Sequence, residues 1–180
     1  MATHVAFLRG INVGGHRVSG ASLAAHVEAT GLEEVSCFRA SGNVIFDAGS
    51  KRAGDIPALI EEALREALGY EVPVFLRSAK EVAAVAKHEP FGAEAAKASK
   101  GKLQVLFLAK KPGRAAAEKA LALATDQDRL ALKGSELYWL PSGGILDSEL
   151  DRKTLDAALG VATMRTKGTV EQIAAKLRPG

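Results

Sequence analysis

Two short stretches set the terms on which this chain can fold. Val5-Ala6-Phe7-Leu8 and Val105-Leu106-Phe107-Leu108 are apolar at both parities. A strand with one face in water alternates apolar and polar residues, so strands here put apolar side chains on both faces of a sheet. Helices packed on one face leave the other to be covered by a second part of the chain, an added helix or another subunit. The residues after each stretch decide which helices and strands are available.

After a strand over 4–9, Ser19 or Ser22 can cap a helix carrying Leu23 and Val27, with Gly31 closing it. Strands over 34–39 and 43–47 come next, joined by Ala40-Ser41-Gly42 as a tight hairpin. Ile56, Leu59, Ile60, Ala63, Leu64, Ala67 and Leu68 then share one helical face, between Asp55 as N-cap and Gly69 as stop. A strand over 72–77 completes the set, and Ser78 with Glu81 forms a capping box for a short helix ending before Pro90.

Residues 92–101, rich in Ala, Lys and Gly, read as a connection or a weakly held helix. The order then repeats. A strand over 102–109 leads through Pro112-Gly113 into an alanine-rich helix to Ala124, and strands over 129–132 and 136–140 flank Lys133-Gly134-Ser135. Ser148 is expected to cap a helix with Leu155, Ala158 and Leu159 facing inward, a strand spans 161–166, and Thr169 with Gln172 opens a final amphipathic helix. Each half reads βαββαβ, the ferredoxin-like order. The expected fold is therefore α+β: two ferredoxin-like subdomains in tandem, 1–90 and 102–180, joined by a linker at 91–101, each followed by an extra helix. Residue-level similarity between the halves is faint, so the duplication rests on element order.

The candidate site is the loop Arg9-Gly10-Ile11-Asn12-Val13-Gly14-Gly15. Glycine takes positive φ freely and lets a backbone come close to a ligand. A ferredoxin-like sheet has spatial strand order 4, 1, 3, 2, which sets the end of its first strand beside the start of its third. That places Ser41-Gly42-Asn43 next to the glycine loop, with the Gly69-Tyr70 turn opening at the same end. Either loop alone reads as a turn. Together they suit a small polar or anionic ligand: Arg9 supplies charge, Asn12 and Asn43 orient, Gly10, Gly14, Gly15 and Gly42 permit close approach, and Ser41 adds a hydroxyl. Arg165 is a candidate from the second half.

Several chemistries are excluded or weakened. Asn12 stands where a GxGxxG fingerprint needs glycine, no GxxxxGK[ST] occurs, and Ser41 is not in a GxSxG elbow, so it is read as a turn residue. The four histidines, His4, His16, His26 and His88, show no metal spacing, and no cofactor is implied. The site lacks an evident general base; His16, which flanks the loop, is the residue that could serve, and solvent exposure without a role is the commoner reading of it. Cys37 is the single cysteine and reads as a structural thiol. The start Met1-Ala2-Thr3-His4 lacks a secretory pattern and no apolar run is of membrane length, which points to the cytoplasm. Net charge is only +3, but 95–117 holds Lys97, Lys100, Lys102, Lys110, Lys111 and Arg114 without an acid. A solvated run is the commoner reading of such a stretch, and RNA or another nucleic acid is the alternative partner. Phe7 and Phe46 do not reproduce the ring-rich strands of an RNA-recognition sheet. A structural or dimerising module without a ligand is the third reading.

Arg9-Gly10-Ile11-Asn12-Val13-Gly14-Gly15 followed by Ser41-Gly42-Asn43-Val44-Ile45-Phe46 resembles the bacterial family called domain of unknown function 1697, whose members carry RGINVGG and SGNVVF. The likeness continues at Pro90-Phe91 (the family's NPF), at Ser148 and Leu150 (SKL), and at Thr163 and Arg165 (TxRNWxT). It implies two similar α+β subdomains and no assigned activity, which leaves open whether the protein is an enzyme. Glu89 replaces the asparagine before Pro-Phe, Glu149 replaces the lysine of SKL, and Thr166-Lys167-Gly168 stands where Asn-Trp is usual.

Overall fold

The computed structural model describes residues 3–177. Met1 and Ala2, which belong to the start that lacks a secretory pattern, lie outside the described residues. The chain divides into two compact units: one holds the chain through Ala84 together with the segment from Ile173, the other Val85–Gln172.

The first unit contains β1 (Thr3–Leu8), α1 (Gly20–Glu28), β2 (Glu33–Cys37), β3 (Asn43–Asp47), α2 (Ile56–Leu68) and β4 (Val74–Ser78), and α3 (Ala79–Lys87) begins in it. Its strands form one antiparallel sheet in the order β2-β3-β1-β4. Ala6, Leu8, Val44 and Phe46 point to one side of this sheet and pack with Leu23 and Val27 of α1 and Ile56, Ile60 and Leu64 of α2. Spacing of four places those three α2 residues on one face, and each large apolar side chain buried this way contributes about 1.5–3 kcal/mol. On the other side Val5, Phe7 and Phe75 are buried as well, as the two-parity apolar pattern requires.

The second unit contains α4 (Ala93–Ala98), β5 (Gln104–Leu108), α5 (Arg114–Leu121), β6 (Asp128–Lys133), β7 (Glu136–Pro141), a 3₁₀ turn (Ile145–Asp147), α6 (Arg152–Leu159) and β8 (Ala162–Thr166), and α7 (Lys167–Lys176) begins in it. Its sheet is antiparallel in the order β6-β7-β5-β8. Leu106, Leu108, Leu137 and Trp139 pack with Ala120 and Leu155 on one side; Val105, Phe107 and Tyr138 are buried on the other. Among the described residues no helix is long and apolar enough to cross a membrane.

Most local expectations hold, and the exceptions have physical causes. Ser19 caps α1, its side chain accepting from Ser22 N, and Gly69 ends α2 at φ 78°. Ser78 and Glu81 bond reciprocally as a capping box. Asp55 sits at the N-cap of α2 but makes no side-chain cap bond. Ser148 does not cap α6: Asp151 does, accepting from Thr154 N, because Ser148 Oγ is already bound to Asp128. α7 starts two residues before Thr169, with Thr166 Oγ1 accepting from Thr169 N, so the cap is Thr166 and Thr169 is its third residue. The hairpin after β2 is wider than Ala40-Gly42, since Arg39 turns to φ 60° and ends the strand at Cys37.

The expected linker 91–101 belongs to the second unit and contains α4. Ser99 Oγ donates to the Pro141 carbonyl, and Gly101 lies so close that an added Cβ would collide with the Pro141 ring and the Gly143 carbonyl. Those contacts tie the segment to the end of β7. The segment from Ile173 belongs with the first unit, so the bounds 1–90 and 102–180 shift accordingly.

Candidate functional site

The loop 9–19 leaves β1 beside two neighbours. Leu8 N donates to the Gly42 carbonyl at 2.8 Å and Arg9 N to the Pro73 carbonyl at 3.0 Å. Ends of β1, β3 and β4 thus meet at one edge of the first sheet. The loop then takes left-handed backbone at Gly10 (φ 82°), Asn12 (57°), Gly14 (59°) and Gly15 (89°). Only Asn12 among these carries a Cβ, and three hydrogen bonds hold it there. Its Nδ2 donates to the Ala40 carbonyl at 2.7 Å and the Val18 carbonyl at 3.1 Å, while its Oδ1 accepts from Val18 N at 2.6 Å. One amide therefore closes the loop on itself and fastens it to the 38–42 turn.

The partner turn is tighter. Asn43 is fully buried; its Nδ2 donates to the Phe38 carbonyl at 2.9 Å and to Ser41 Oγ at 3.0 Å. Gly42 sits at φ 75° with no room for a side chain, since an added Cβ would lie 3.0 Å from Leu8 Cβ and 3.3 Å from Ile11. Asn12, Asn43 and Gly42 are thus the scaffold of this end, through bonds and contacts internal to the protein. Among the described residues nothing lies within 4 Å of a Cβ added at Gly10, Gly14 or Gly15, and Val13 between them is 57% exposed.

The two loops themselves carry charge of one sign, while the Glu61 carboxylate accepts from Val74 N at 2.9 Å at the neighbouring start of β4. Residues 9–19 and 38–43 contain Arg9, Arg17 and Arg39 and no Asp or Glu. Arg9, Arg17 and Arg39 are exposed. Arg17 Nη1 donates to the Asn12 carbonyl at 3.0 Å, and Arg39 lies over the Phe38 ring at 5.3 Å. His16 rests on the Tyr70 ring, centroids 3.9 Å apart, and the buried Tyr70 hydroxyl has no hydrogen-bond partner among the described residues. Arg17 and Arg39 were missed by motif reading; counting charges across both loops would have found them.

The matching edge of the second unit is built differently. Leu108 N donates to the Ser135 carbonyl at 2.9 Å, as Leu8 does to Gly42, but β5 reaches α5 through 109–113 alone. The basic run does not gather there. Lys102 precedes β5 and Lys110 and Lys111 come after it, so the two groups stand about 26 Å apart along an extended strand. Lys97 and Arg114 are paired with Glu94 and Glu118.

Arg165 is buried in β8, where its Nη1 donates to Thr163 Oγ1 at 2.9 Å and to the Met164 carbonyl at 2.8 Å. Burial pushes its pKa down to about 10. Arg77 of the first unit repeats this arrangement: it faces Val5 across the sheet as Arg165 faces Val105, and it donates to the Leu76 carbonyl at 2.8 Å. Each arginine is followed by the residue that caps the next helix, Ser78 or Thr166.

The late motifs are used for stitching. Asp128 is fully buried and accepts from Trp139 Nε1 and Ser148 Oγ, each at 2.7 Å; Ser148 Oγ in turn accepts from Leu150 N at 3.1 Å. Lys167 Nζ lies 2.7 Å from Glu89 Oε1 and 2.8 Å from Glu171 Oε1. Lys167 is nearly buried. Burial works against its charge, but the bonds to Glu171 and Glu89 outweigh this and raise its pKa. Among the described residues no three of His, Cys, Asp and Glu gather as a metal-ligand set. A hollow of about 250 Å³ lined by Ala95, Ala98, Arg129, Leu140 and Pro141 holds none of the residues singled out from the sequence.

These features define a mixed α+β protein with two four-stranded antiparallel sheets, one of which bears an enlarged loop at its edge. The family model described as "Protein of unknown function (DUF1697)" matches residues 1–138, and the chain belongs to that family. The match covers both early motifs and ends before Ser148, so the altered late positions lie beyond it. No match is found among curated proteins. Among solved structures, the conserved bacterial protein from Streptococcus pneumoniae is similar in fold, with a TM-score of 0.71 over 97% of each chain at 20% identity.

Proposed function

We propose that this protein binds a small polar or anionic molecule in the bacterial cytoplasm, at the edge where loop 9–19 meets the 38–43 turn. One observation carries the reading. The second unit makes the same strand-to-helix connection through 109–113, while the first uses 9–19 and fills it with left-handed, uncovered glycines. A connection alone does not need that length, and extra loop set on a rigid edge is where binding residues are commonly carried. Arg9 supplies the charge, Gly10, Gly14 and Gly15 the close approach, and Asn12, Ser41, Gly42 and Asn43 the shape. Arg165, bound within its own strand, is assigned to the second unit's sheet.

The same comparison supports reading each unit as a ferredoxin-like βαββαβ module and the chain as a duplication. Both sheets have spatial order 4, 1, 3, 2, and Leu76-Arg77-Ser78 corresponds in register and bonding to Met164-Arg165-Thr166.

Thermal unfolding against a panel of nucleotides, phosphates, carboxylates and short RNA tests the binding reading. A ligand present at 100 times its Kd raises stability by about 2.7 kcal/mol. The expected outcome is a ligand that raises Tm for wild type and much less for Arg9→Ala. Stabilisation by RNA that Arg9→Ala leaves unchanged would move the function to the lysines instead.

A further inference from the structure

The second unit holds a hollow of about 250 Å³ between α4 and the sheet end where β6 starts and β7 closes. α4 is six residues long with none of them buried, and it is fastened across the hollow by Ser99, which donates to the Pro141 carbonyl. Ala95, Ala98, Leu140 and Pro141 give the hollow an apolar surface. Sites for drug-sized ligands measure roughly 300–1,000 Å³ and combine such a surface with a few placed polar groups. This hollow suits a smaller molecule, and its polar groups narrow the choice.

Two charged residues line it, Asp126 and Arg129, and they are of opposite sign. They form no ion pair with each other or with another described residue. The Arg129 guanidinium lies over the Phe91 ring, 4.8 Å from its centroid, and makes no hydrogen bond among the described residues. Stacking on a ring engages the guanidinium face and leaves its edge of N–H donors for a planar acceptor such as a carboxylate. Gln127 Oε1 accepts from Ser142 Oγ, while Gln127 Nε2 donates to no described residue. On the α4 side Glu94 and Lys97 pair with each other at 3.7 Å, and neither they nor Lys100 line the hollow. The two charges are set by one turn: Thr125 Oγ1 accepts from Gln127 N at 3.2 Å and Asp128 N at 3.0 Å, and Asp128 is held by Trp139 and Ser148. A ligand with a single charge brings it against the like charge of either Asp126 or Arg129, whereas a zwitterion meets an opposite charge at both. We infer that the hollow binds an amino acid with an apolar side chain, its carboxylate on Arg129 and the Gln127 amide, its ammonium on Asp126, and its side chain on Leu140 and Pro141. The site is separate from the glycine-loop site and does not depend on it.

The test is amide chemical-shift mapping by NMR on the full chain at neutral pH, titrated with L-leucine, isocaproate (no ammonium), isoamylamine (no carboxylate) and glycine (no apolar side chain). L-Leucine should shift the amides of Ala95, Ala98, Gln127 and Leu140, and each of the other three should bind at least tenfold more weakly. Asp126 and Arg129 are both exposed, so variants at either position should leave the signals of the β5–β8 sheet in place. Asp126→Asn should bind leucine and isocaproate alike, and Arg129→Gln should bind leucine and isoamylamine alike. Binding of isocaproate or isoamylamine to wild type as tight as that of leucine would overturn the zwitterion assignment. Leucine shifts confined to Gly10, Gly14 and Gly15 would move the amino acid to the glycine loop and overturn the hollow as its site. Silence of the four amides toward every probe would overturn the inference and leave the glycine-loop reading untouched.

Discussion

The two sheets of this protein end in corresponding edges that do different things. In each, the last residue of the first strand donates to the hairpin between the second and third: Leu8 to Gly42 at 2.8 Å, Leu108 to Ser135 at 2.9 Å. From there the chains diverge. The first unit devotes 9–19 to a loop held by a neutral amide, Asn12, and leaves three glycines uncovered. The second closes in 109–113, and its hairpin carries charge, with Lys133 Nζ 3.4 Å from His88 Nδ1. Since the sheet requires the same hydrogen bond in both places, what differs between the edges is what the sheet does not require. By that measure the loop of the first unit is the more specialised feature, and the charged turn of the second is a matter of local stability.

The hairpin glycines put this to the sharpest test. Gly42→Ala places a Cβ at φ 75° and 3.0 Å from Leu8 Cβ, with Ile11 at 3.3 Å. Left-handed backbone with a Cβ costs roughly 1–2 kcal/mol and the crowding about 1–3 more, less a few tenths recovered from a stiffer unfolded chain. A loss of about 3 kcal/mol is expected. Gly134→Ala has φ 62°, but its nearest neighbour is the end of the Glu136 side chain at 3.4 Å, so only the backbone cost of about 1 kcal/mol remains. Urea unfolding of both variants measures the difference, and equal losses would mean that the two edges are packed alike.

Asn12→Ala comes next in size. It removes three hydrogen bonds at about 1 kcal/mol each, discounted for partial exposure, and adds the strain of a left-handed alanine, for about 2 kcal/mol in total. Asn12→Gly removes the bonds but not the conformational freedom, and should cost about 1 kcal/mol less. Equal losses for the two variants would show that φ 57° at this position carries no strain. Both variants unfasten the loop from Ala40 and Val18, so both should also lose any ligand that Gly10 to Gly15 hold.

Much of this was legible in the sequence, and the parts that were not share a reason. Apolar runs mark the central strands β1 and β5, helical periodicity marks the long α2, and the glycines at 42 and 69 mark real reversals. The meeting of the two motif loops comes directly from strand order. What escaped is polar bonding across distance. Asp128 links Trp139 and Ser148, and Glu89 reaches Lys167; neither pair has a sequence period to betray it. Ser148 looked like a helix cap because a serine before a helical pattern usually is one, and a buried carboxylate had already taken it. The correspondence of Arg77 and Arg165 is invisible until the strands are in register, because one matched residue in a strand is below the noise of any repeat search.

The smallest expected effect belongs to the charged edge. His88 sits edge-on to Tyr138, ring centroids 4.8 Å apart, beside Lys133. Partial burial, and then the positive charges of Lys133 and Lys167, hold its pKa below the ordinary value of 6.5, with Glu89 opposing. The unfolded chain therefore takes up a proton at His88 before the folded one does. As pH falls through the ordinary histidine range the unfolded state binds more protons, so stability declines on acidification and recovers as pH rises. Because the ring is only partly buried, solvent screening limits the effect to under about 1 kcal/mol. Comparing urea midpoints at pH 7.5 and 5.5, wild type should lose more than His88→Gln, which has no proton to gain. An equal loss in the two proteins would detach the pH response from this edge, and with it the view that the second unit's turn is stabilised against its own charges, by a neutral ring set among lysines.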